Sequence, residues 1–344
     1  MKLKVDLFSD TGTRPTRKMR EFMAEAPVGD EQLKEDPSVN KLREMAADIL
    51  GKEDAIYLPS GIMANQISYA VFCQPGDEII MDETAHPIHF EAGGTAVISG
   101  ASINPVAGER GIFSAEQAAE KIRVKGHGQP RSRMFSVEQS TNLGGGTVWP
   151  LSTIKELYEL ARDNDMKLHI DGARLLNAAT AASVAPSEYG RYCDSIWLDL
   201  SKGLGAPLGS VLAGNQEFIE EARTWKKRLG GAMRQAGITA AGGIYALRHH
   251  RERLKEDHHL AILLAKGINE IEGLNIELNN VETNIVLFTI EDHPASQLVD
   301  KMQEKGVRIG ALGENLLRAV THLHIKEKDI EYTLKVMKEA MNSL

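Results

Sequence analysis

Two neighbouring stretches decide the fold: KLHIDGARLLNA at residues 167–178 and CDSIWLDLSKGLGAPLGS at residues 193–210. Each has an apolar run of strand type that closes on ionisable residues. Leu168, His169 and Ile170 lead into Asp171, with Arg174 just beyond. Ile196, Trp197 and Leu198 lead into Asp199, Leu200, Ser201 and Lys202, followed by glycine-rich chain. Short apolar runs bounded by glycine predict buried strands of a parallel sheet. Ligands of open α/β sheets sit beyond the carboxyl ends of the strands. An acid and an amine thus stand where such folds do their chemistry.

The chemistry that needs this pair is that of pyridoxal 5′-phosphate. A lysine forms a Schiff base with its aldehyde, and an aspartate keeps its pyridine nitrogen protonated so that the ring accepts electrons. A lysine in a Ser/Gly turn after a buried strand is not placed like a solvated surface lysine.

Reading outward, residues 55–58 form a short strand, and Pro59-Ser60-Gly61-Ile62 turns into a helix. Free amides at such a helix start suit a phosphate, although many α/β turns look alike. The strand at 77–82 runs on to His86, whose flat imidazole can stack on a pyridine ring and move a proton near neutral pH. His89 reads as packing or surface. Residues 134–139 form another strand, which enters the loop STNLGGG. Asp36-Pro37-Ser38 stops one segment and starts the helix that ends at Gly51, with Ser38 as the expected cap. Beyond Ser210 comes a strand and then a basic helix with Lys226, Lys227 and Arg228. Arg234 stands out for its apolar, glycine-rich surroundings. His249-His250 and His258-His259 point in different directions on a helix, so they read as surface and no metal site is expected.

From about Arg248 the pattern changes to helices alternating with short strands, at 284–289, 307–309 and 316–321. This predicts an N-terminal segment plus large domain over residues 1–247 and a small α+β domain over 248–344. Arg318 sits in an otherwise apolar strand and needs a partner, either a substrate carboxylate or a structural ion pair. The chain has 344 residues, 42% hydrophobic and 26% charged, which suits a soluble globular protein with a large core. A net charge of −8 disfavours nucleic acid or an anionic membrane as partner. Cys73 and Cys193 alone give no disulfide framework, and neither a signal peptide nor a spanning segment is evident, so a cytoplasmic location is expected.

The stretches DLFSDTGTRPT, EDPSVN, LPSGIMANQ, AHPIHFEAGG, LHIDGARLLNA, LSKGLGAPLGS, LGGAMRQAG and LRAVTHLHI together resemble the threonine aldolase family, a branch of the β-eliminating lyases. The resemblance spans almost the whole chain. It implies the α/β fold type I of pyridoxal-phosphate enzymes, with a mostly parallel central sheet flanked by helices. It implies Lys202 as the Schiff-base lysine, Asp171 at the ring nitrogen and His86 stacked on the ring. Ser60, Gly61 and Ile62 would meet the phosphate, and Ser9, Arg174 and Arg318 the substrate carboxylate. Lys227 and Arg234 match residues that reach the phosphate from a neighbouring subunit, which implies a homodimer, often paired into a tetramer. The chain departs from the family at Phe8, Leu33, Ile62 and Thr141, where relatives carry Arg, Tyr, Thr and His.

The expected reaction is cleavage of a small β-hydroxy-α-amino acid, of threonine or allo-threonine type, to glycine and an aldehyde. β-Elimination or racemisation of a related amino acid, and a cofactor-binding regulatory paralogue with little turnover, stand as alternatives. A threonine hydroxyl cannot act as a base near pH 7, so Thr141 predicts weak cleavage that Thr141→His would raise.

Overall fold

In the computed structural model, which describes residues 3–124, 126 and 128–344, seven strands form one sheet. In spatial order they are Asp54–Leu58, Ser210–Gly214, Ser195–Asp199, Lys167–Asp171, Arg131–Glu138, Asp77–Asp82 and Ser102–Val106. The five from Ser195–Asp199 onward are mutually parallel. Ser210–Gly214 runs against both of its neighbours. The sheet is therefore mostly parallel, as expected, but mixed. That one reversal shapes the site, because an antiparallel neighbour can be reached by a short loop where a parallel one needs a long crossover. Residues 200–209, with Lys202, are that short loop.

Helices cover both faces, so Ile79, Ile80, Met81, Ile196 and Leu198 are buried and their strands read as continuous apolar runs. Ser102–Val106 does not read that way, since it is polar and contains Pro105. It lies at the sheet edge, where a missing N–H is tolerated.

Helix Pro37–Leu50 starts two residues earlier than expected. Its cap is Asp36, whose Oδ1 accepts the Val39 amide at 2.9 Å, while Ser38 Oγ donates to the Pro27 carbonyl at 2.8 Å. Proline fits the first helical position because its lacking N–H would be unpaired there anyway, which puts the cap before it. Asp36 Oδ2 also accepts the amides of Gly29 and Gly237, tying three segments together.

A second, antiparallel sheet orders Gly310–Ala311, Leu316–Val320, Ile285–Ile290 and Leu274–Asn275. The expected strand at 307–309 is split. Val307–Arg308 pairs instead with Val5–Asp6, in parallel. Val5 and Leu7 are buried in the same core as Leu264, Phe288, Leu298 and Leu317. The chain then crosses to the large sheet, where Thr13 Oγ1 donates to the Lys202 carbonyl at 2.7 Å. The N-terminal segment thus joins the second core to the Lys202 loop.

The histidine pairs are half inside. His250 and His258 are buried, with His250 Nδ1 2.6 Å from the Leu204 carbonyl, whereas His249 and His259 are exposed. Successive helical residues point about 100° apart, so a pair on a packed helix sends one ring inward. Among the described residues, no helix is long and apolar enough to cross a membrane.

Candidate active site

At the carboxyl ends of the parallel strands lies a cavity of about 190 Å³, whose wall includes Lys202, Asp171, His86, Ser60, Gly61 and Ile62. Asp199 organises the Lys202 turn by accepting the Ser201 amide at 2.6 Å and its hydroxyl at 2.8 Å. Gly205 N donates to the Lys202 carbonyl at 2.9 Å and closes the turn. Lys202 Nζ itself lies 3.4 Å from Asp199 Oδ2. Opposite, helix Gly61–Phe72 begins at Ser60, whose Oγ accepts the Met63 amide at 3.3 Å. Gly61 is required there, because a Cβ would stand 2.3 Å from the Trp197 ring.

Asn65, one turn into that helix, links the floor of the cavity. Its Nδ2 donates to Asp171 Oδ2 at 2.8 Å and to Glu91 Oε1 at 2.7 Å. Its Oδ1 accepts from Trp197 Nε1 at 2.8 Å and lies 3.1 Å from His169 Nε2. All its hydrogen-bonding positions are used, and the indole, which can only donate, fixes which way the amide faces. Burial pushes His169 down to about 3, so its ring is neutral.

Three buried carboxylates surround this point. Burial raises the Asp171 pKa, against the pull of Lys202, the Asn65 hydrogen bond and His86. Glu138 lies opposite Asp171 in the strand register. Burial and then the Asp171 charge push Glu138 up to about 7. Glu91 Oε1 meets His86 Nδ1 at 2.9 Å. Burial alone would lower the His86 pKa. The Glu91 hydrogen bond, with the charges of Asp171 and Glu138, outweighs that and raises it.

The two arginines differ. Arg174 donates from Nε and Nη2 to the two oxygens of Asp10, at 2.8 and 2.7 Å. Burial alone would raise the Asp10 pKa, but Arg174, helped by Lys202, holds it well below the ordinary carboxylate range. Arg318 has no carboxylate partner among the described residues. Its Nη1 donates to Asn142 Oδ1 at 3.0 Å, and its buried Nε has no partner. Arg174 Nη1 approaches the same Asn142 oxygen at 3.4 Å. Burial and the nearby Arg174 charge lower the Arg318 pKa.

Arg174 lines the cavity, whereas Arg318 and the other expected residues lie off its wall. The Ser9 hydroxyl accepts from Thr11 N and Thr11 Oγ1. Lys227 is exposed on helix Gln216–Arg228, and Arg234 is exposed and paired with Asp30 at 2.6 Å. Neither reaches the cavity of its own chain. Leu33 is on the surface, and Phe8 lies under the Arg308 guanidinium, 4.2 Å from its ring centre. Thr141 is buried and its hydroxyl has no partner. A Cβ on Gly111 would stand 2.7 Å from Thr141 Cγ2, and one on Gly144 2.5 Å from its Oγ1. The chain therefore closes on Thr141 from both sides. Against the expectation from sequence, Thr141→His should overpack this site and lower stability by about 1–3 kcal/mol. Thermal unfolding checks this, and a variant as stable as the native chain and faster in cleavage would refute it.

Asn65, Glu91, Glu138 and Asn142 also line the cavity and were not singled out by sequence reasoning. Glu91 lies within HFEAGG and Asn142 follows Thr141, so neighbouring motif residues were the available signal.

Comparison with known proteins bears on this arrangement. The family model described as "Beta-eliminating lyase" matches residues 6–293. The low specificity L-threonine aldolase of Escherichia coli (strain K12) is 39% identical over 327 residues, covering 95% of this chain and 96% of that protein. The low-specificity L-threonine aldolase 1 of Arabidopsis thaliana is 39% identical over 344 residues, covering 98% and 96%. Among solved structures, a putative L-allo-threonine aldolase from Listeria monocytogenes EGD-E superposes with a TM-score of 0.82 at 20% identity, covering 98% of this chain and 97% of that one, a likeness of fold. This chain belongs to the β-eliminating lyase family, in its threonine aldolase branch.

Proposed function

We propose that the chain is a carbon–carbon lyase that cleaves a β-hydroxy-α-amino acid of threonine or allo-threonine type to glycine and an aldehyde, with pyridoxal 5′-phosphate as cofactor. The observation that carries this reading is the convergence of Lys202, Asp171 and His86 on one cavity. The names of the curated relatives support it. The donor set fits the cofactor: a primary amine, a buried carboxylate, an imidazole, and the start of a 12-residue helix with its first amides free of helical bonds. Lys202 would hold it covalently, Asp171 would keep its ring nitrogen protonated, and His86 would lie on its ring face. Ser60, Gly61 and Ile62 would meet its phosphate. Bound there, it supplies the sink for the electron pair left when Cα–Cβ breaks.

The chain's own residues do the rest. Arg318 takes the substrate carboxylate, since its guanidinium lacks an acidic partner while Arg174 is committed to Asp10. Glu91 Oε1, 2.9 Å from His86 Nδ1, holds the ring proton on that nitrogen and leaves Nε2 to accept the β-hydroxyl proton, directly or through a water. Because the His86 pKa is raised, this acceptor is lost as pH falls through a value above the ordinary 6.5. We read residues 1–247 and 248–344 as two units that meet at this site, with Val5 and Leu7 at the start of the first packed into the core of the second. Lys227 and Arg234, outside the cavity of their own chain, would serve the phosphate of a second copy. Ile62 at the cavity wall and Phe90 beside His86 offer exposed apolar surface to that copy.

The test is product analysis of the protein supplied with pyridoxal 5′-phosphate and threonine, allo-threonine, serine or phenylserine. Glycine and the matching aldehyde are expected. A keto acid and ammonia, or racemised substrate, would favour elimination or racemisation, and cofactor absorbance without products a carrier. Asp171→Asn should slow turnover about 10²–10³-fold, the usual cost of losing one electrostatic partner of developing charge. Near-native turnover in that variant would give Asp171 another role.

A further inference from the structure

We infer that Glu138 is a positioning residue: through two backbone amides it ties the His86 wall of the cavity to the arginine that grips the substrate carboxylate. The inference rests on the function proposed above only for the role given to Arg318.

Glu138 ends the strand Arg131–Glu138, and its carboxylate is split between two loops. Oε2 accepts the amide of His86, in the segment that follows the strand Asp77–Asp82, at 2.9 Å. Oε1 accepts the amide of Asn142 at 2.6 Å. Asn142 in turn presents Oδ1 to Arg318, which comes from the strand Leu316–Val320 of the second sheet. An unbroken chain of hydrogen bonds therefore runs from the His86 backbone through Glu138 and Asn142 to Arg318.

Only an ionised carboxylate performs this task fully. A glutamine has one acceptor oxygen and would turn its NH₂ toward the other amide, and a protonated acid likewise gives up one of the two. The surroundings make ionisation costly, because Glu138 is buried and faces the Asp171 carboxylate across the strand pair. The other charged or titratable groups facing it are His86, Arg174 and Tyr69. A side chain needed for packing alone would not require a charge there. With its pKa near 7, Glu138 gains a proton as pH falls through that value, and the tie to Asn142 or His86 loosens. The grip on the amino-acid carboxylate should weaken over the same range.

The experiment uses the full chain with pyridoxal 5′-phosphate and follows the binding of glycine by the change in cofactor absorbance. Glycine has no β-hydroxyl, so the proton-accepting role of His86 does not enter. Glu138→Gln should raise the glycine dissociation constant about tenfold to a hundredfold, the usual cost of one buried charge-assisted hydrogen bond. It should also remove the weakening of glycine binding expected of the native chain below about pH 7. Hydrogen exchange should speed up at whichever of the residue 86 and 142 amides faces the glutamine NH₂ and loses its acceptor. Asn142→Ala breaks the same chain one link further on, so it should weaken glycine binding while the His86 amide stays protected. Unchanged exchange at residues 86 and 142 in Glu138→Gln overturns the inference. So does the native pH dependence persisting in that variant, or native glycine affinity in Asn142→Ala. If the native chain binds glycine but releases no aldehyde from any substrate, the proposed reaction fails, and the exchange data still decide the role of Glu138.

Discussion

Lys202→Ala should give a folded, colourless protein that releases no aldehyde. The turn around position 202 is held by bonds that do not use the lysine amine. Thr13 Oγ1 and Gly205 N both donate to the residue 202 carbonyl, and Asp199 accepts from Ser201. Removing the side chain therefore spares the loop, and leaves Asp199 short of one cation at 3.4 Å. What disappears is the only amine on the cavity wall among the described residues. No neighbouring group can replace it as a nucleophile toward an aldehyde, since the Arg174 guanidinium stays protonated in the physiological range. Visible absorbance after incubation with pyridoxal 5′-phosphate and dialysis is the first readout. The second is borohydride reduction of the native chain followed by peptide mapping, which should place the cofactor on the peptide containing Lys202. A label on another lysine, or aldehyde release by the alanine variant, would remove Lys202 from its assigned place.

Lys202, Asp171 and Arg318 are legible in the sequence for one reason: each is an ionisable residue ending or interrupting an apolar run. Such a charge is expensive unless it has a partner or a task, so the anomaly is visible without a structure. Asn65 and Glu138 carry no such mark. Asn65 is one polar residue in a helix, and its role exists only because helix packing brings Asp171, Glu91, Trp197 and His169 to it. Glu138 gains its role from the strand register that sets it beside Asp171 and from two loops that converge on it. The reversed direction of Ser210–Gly214 is hidden as well, because apolar periodicity reports burial and not strand direction. The pairing of Val5–Asp6 with Val307–Arg308 is too short to leave a pattern. Helix Ala115–Lys121 is not among the expected elements, although Ser114 and Gln117 form a reciprocal capping box in a recognisable spacing.

Arg174 and Arg318 look equivalent in the sequence, and their substitution should have opposite signatures. Arg318→Leu removes a guanidinium whose bonds are one to the Asn142 side chain and a long one, 3.5 Å, to the Phe8 carbonyl. Burial and then the neighbouring Arg174 charge lower its pKa, so its charge is disfavoured in the folded chain. The fold should survive. The substrate carboxylate loses its partner, which typically costs about 2–5 kcal/mol, or roughly thirtyfold to several-thousandfold in KM. Arg174→Leu acts first on the fold, because it strands the fully buried Asp10 carboxylate, whose remaining side-chain donor is Asn284 at 3.1 Å. Breaking a buried pair from one side costs about 3–5 kcal/mol, a large part of the stability of a typical domain. The sign of the pH effect separates the two further. Since Arg174 depresses the Asp10 pKa, the pair stabilises the native chain above the ordinary carboxylate value of 3.8, and that contribution is lost as acid protonates Asp10. Arg174→Leu should abolish this acid dependence, because a stranded Asp10 would already tend to bind a proton, whereas Arg318→Leu should retain it. Denaturant unfolding at several pH values, run beside KM measurements on both variants, decides the matter. If Arg318→Leu unfolds the chain while Arg174→Leu leaves it stable with a raised KM, the two arginines have each other's roles.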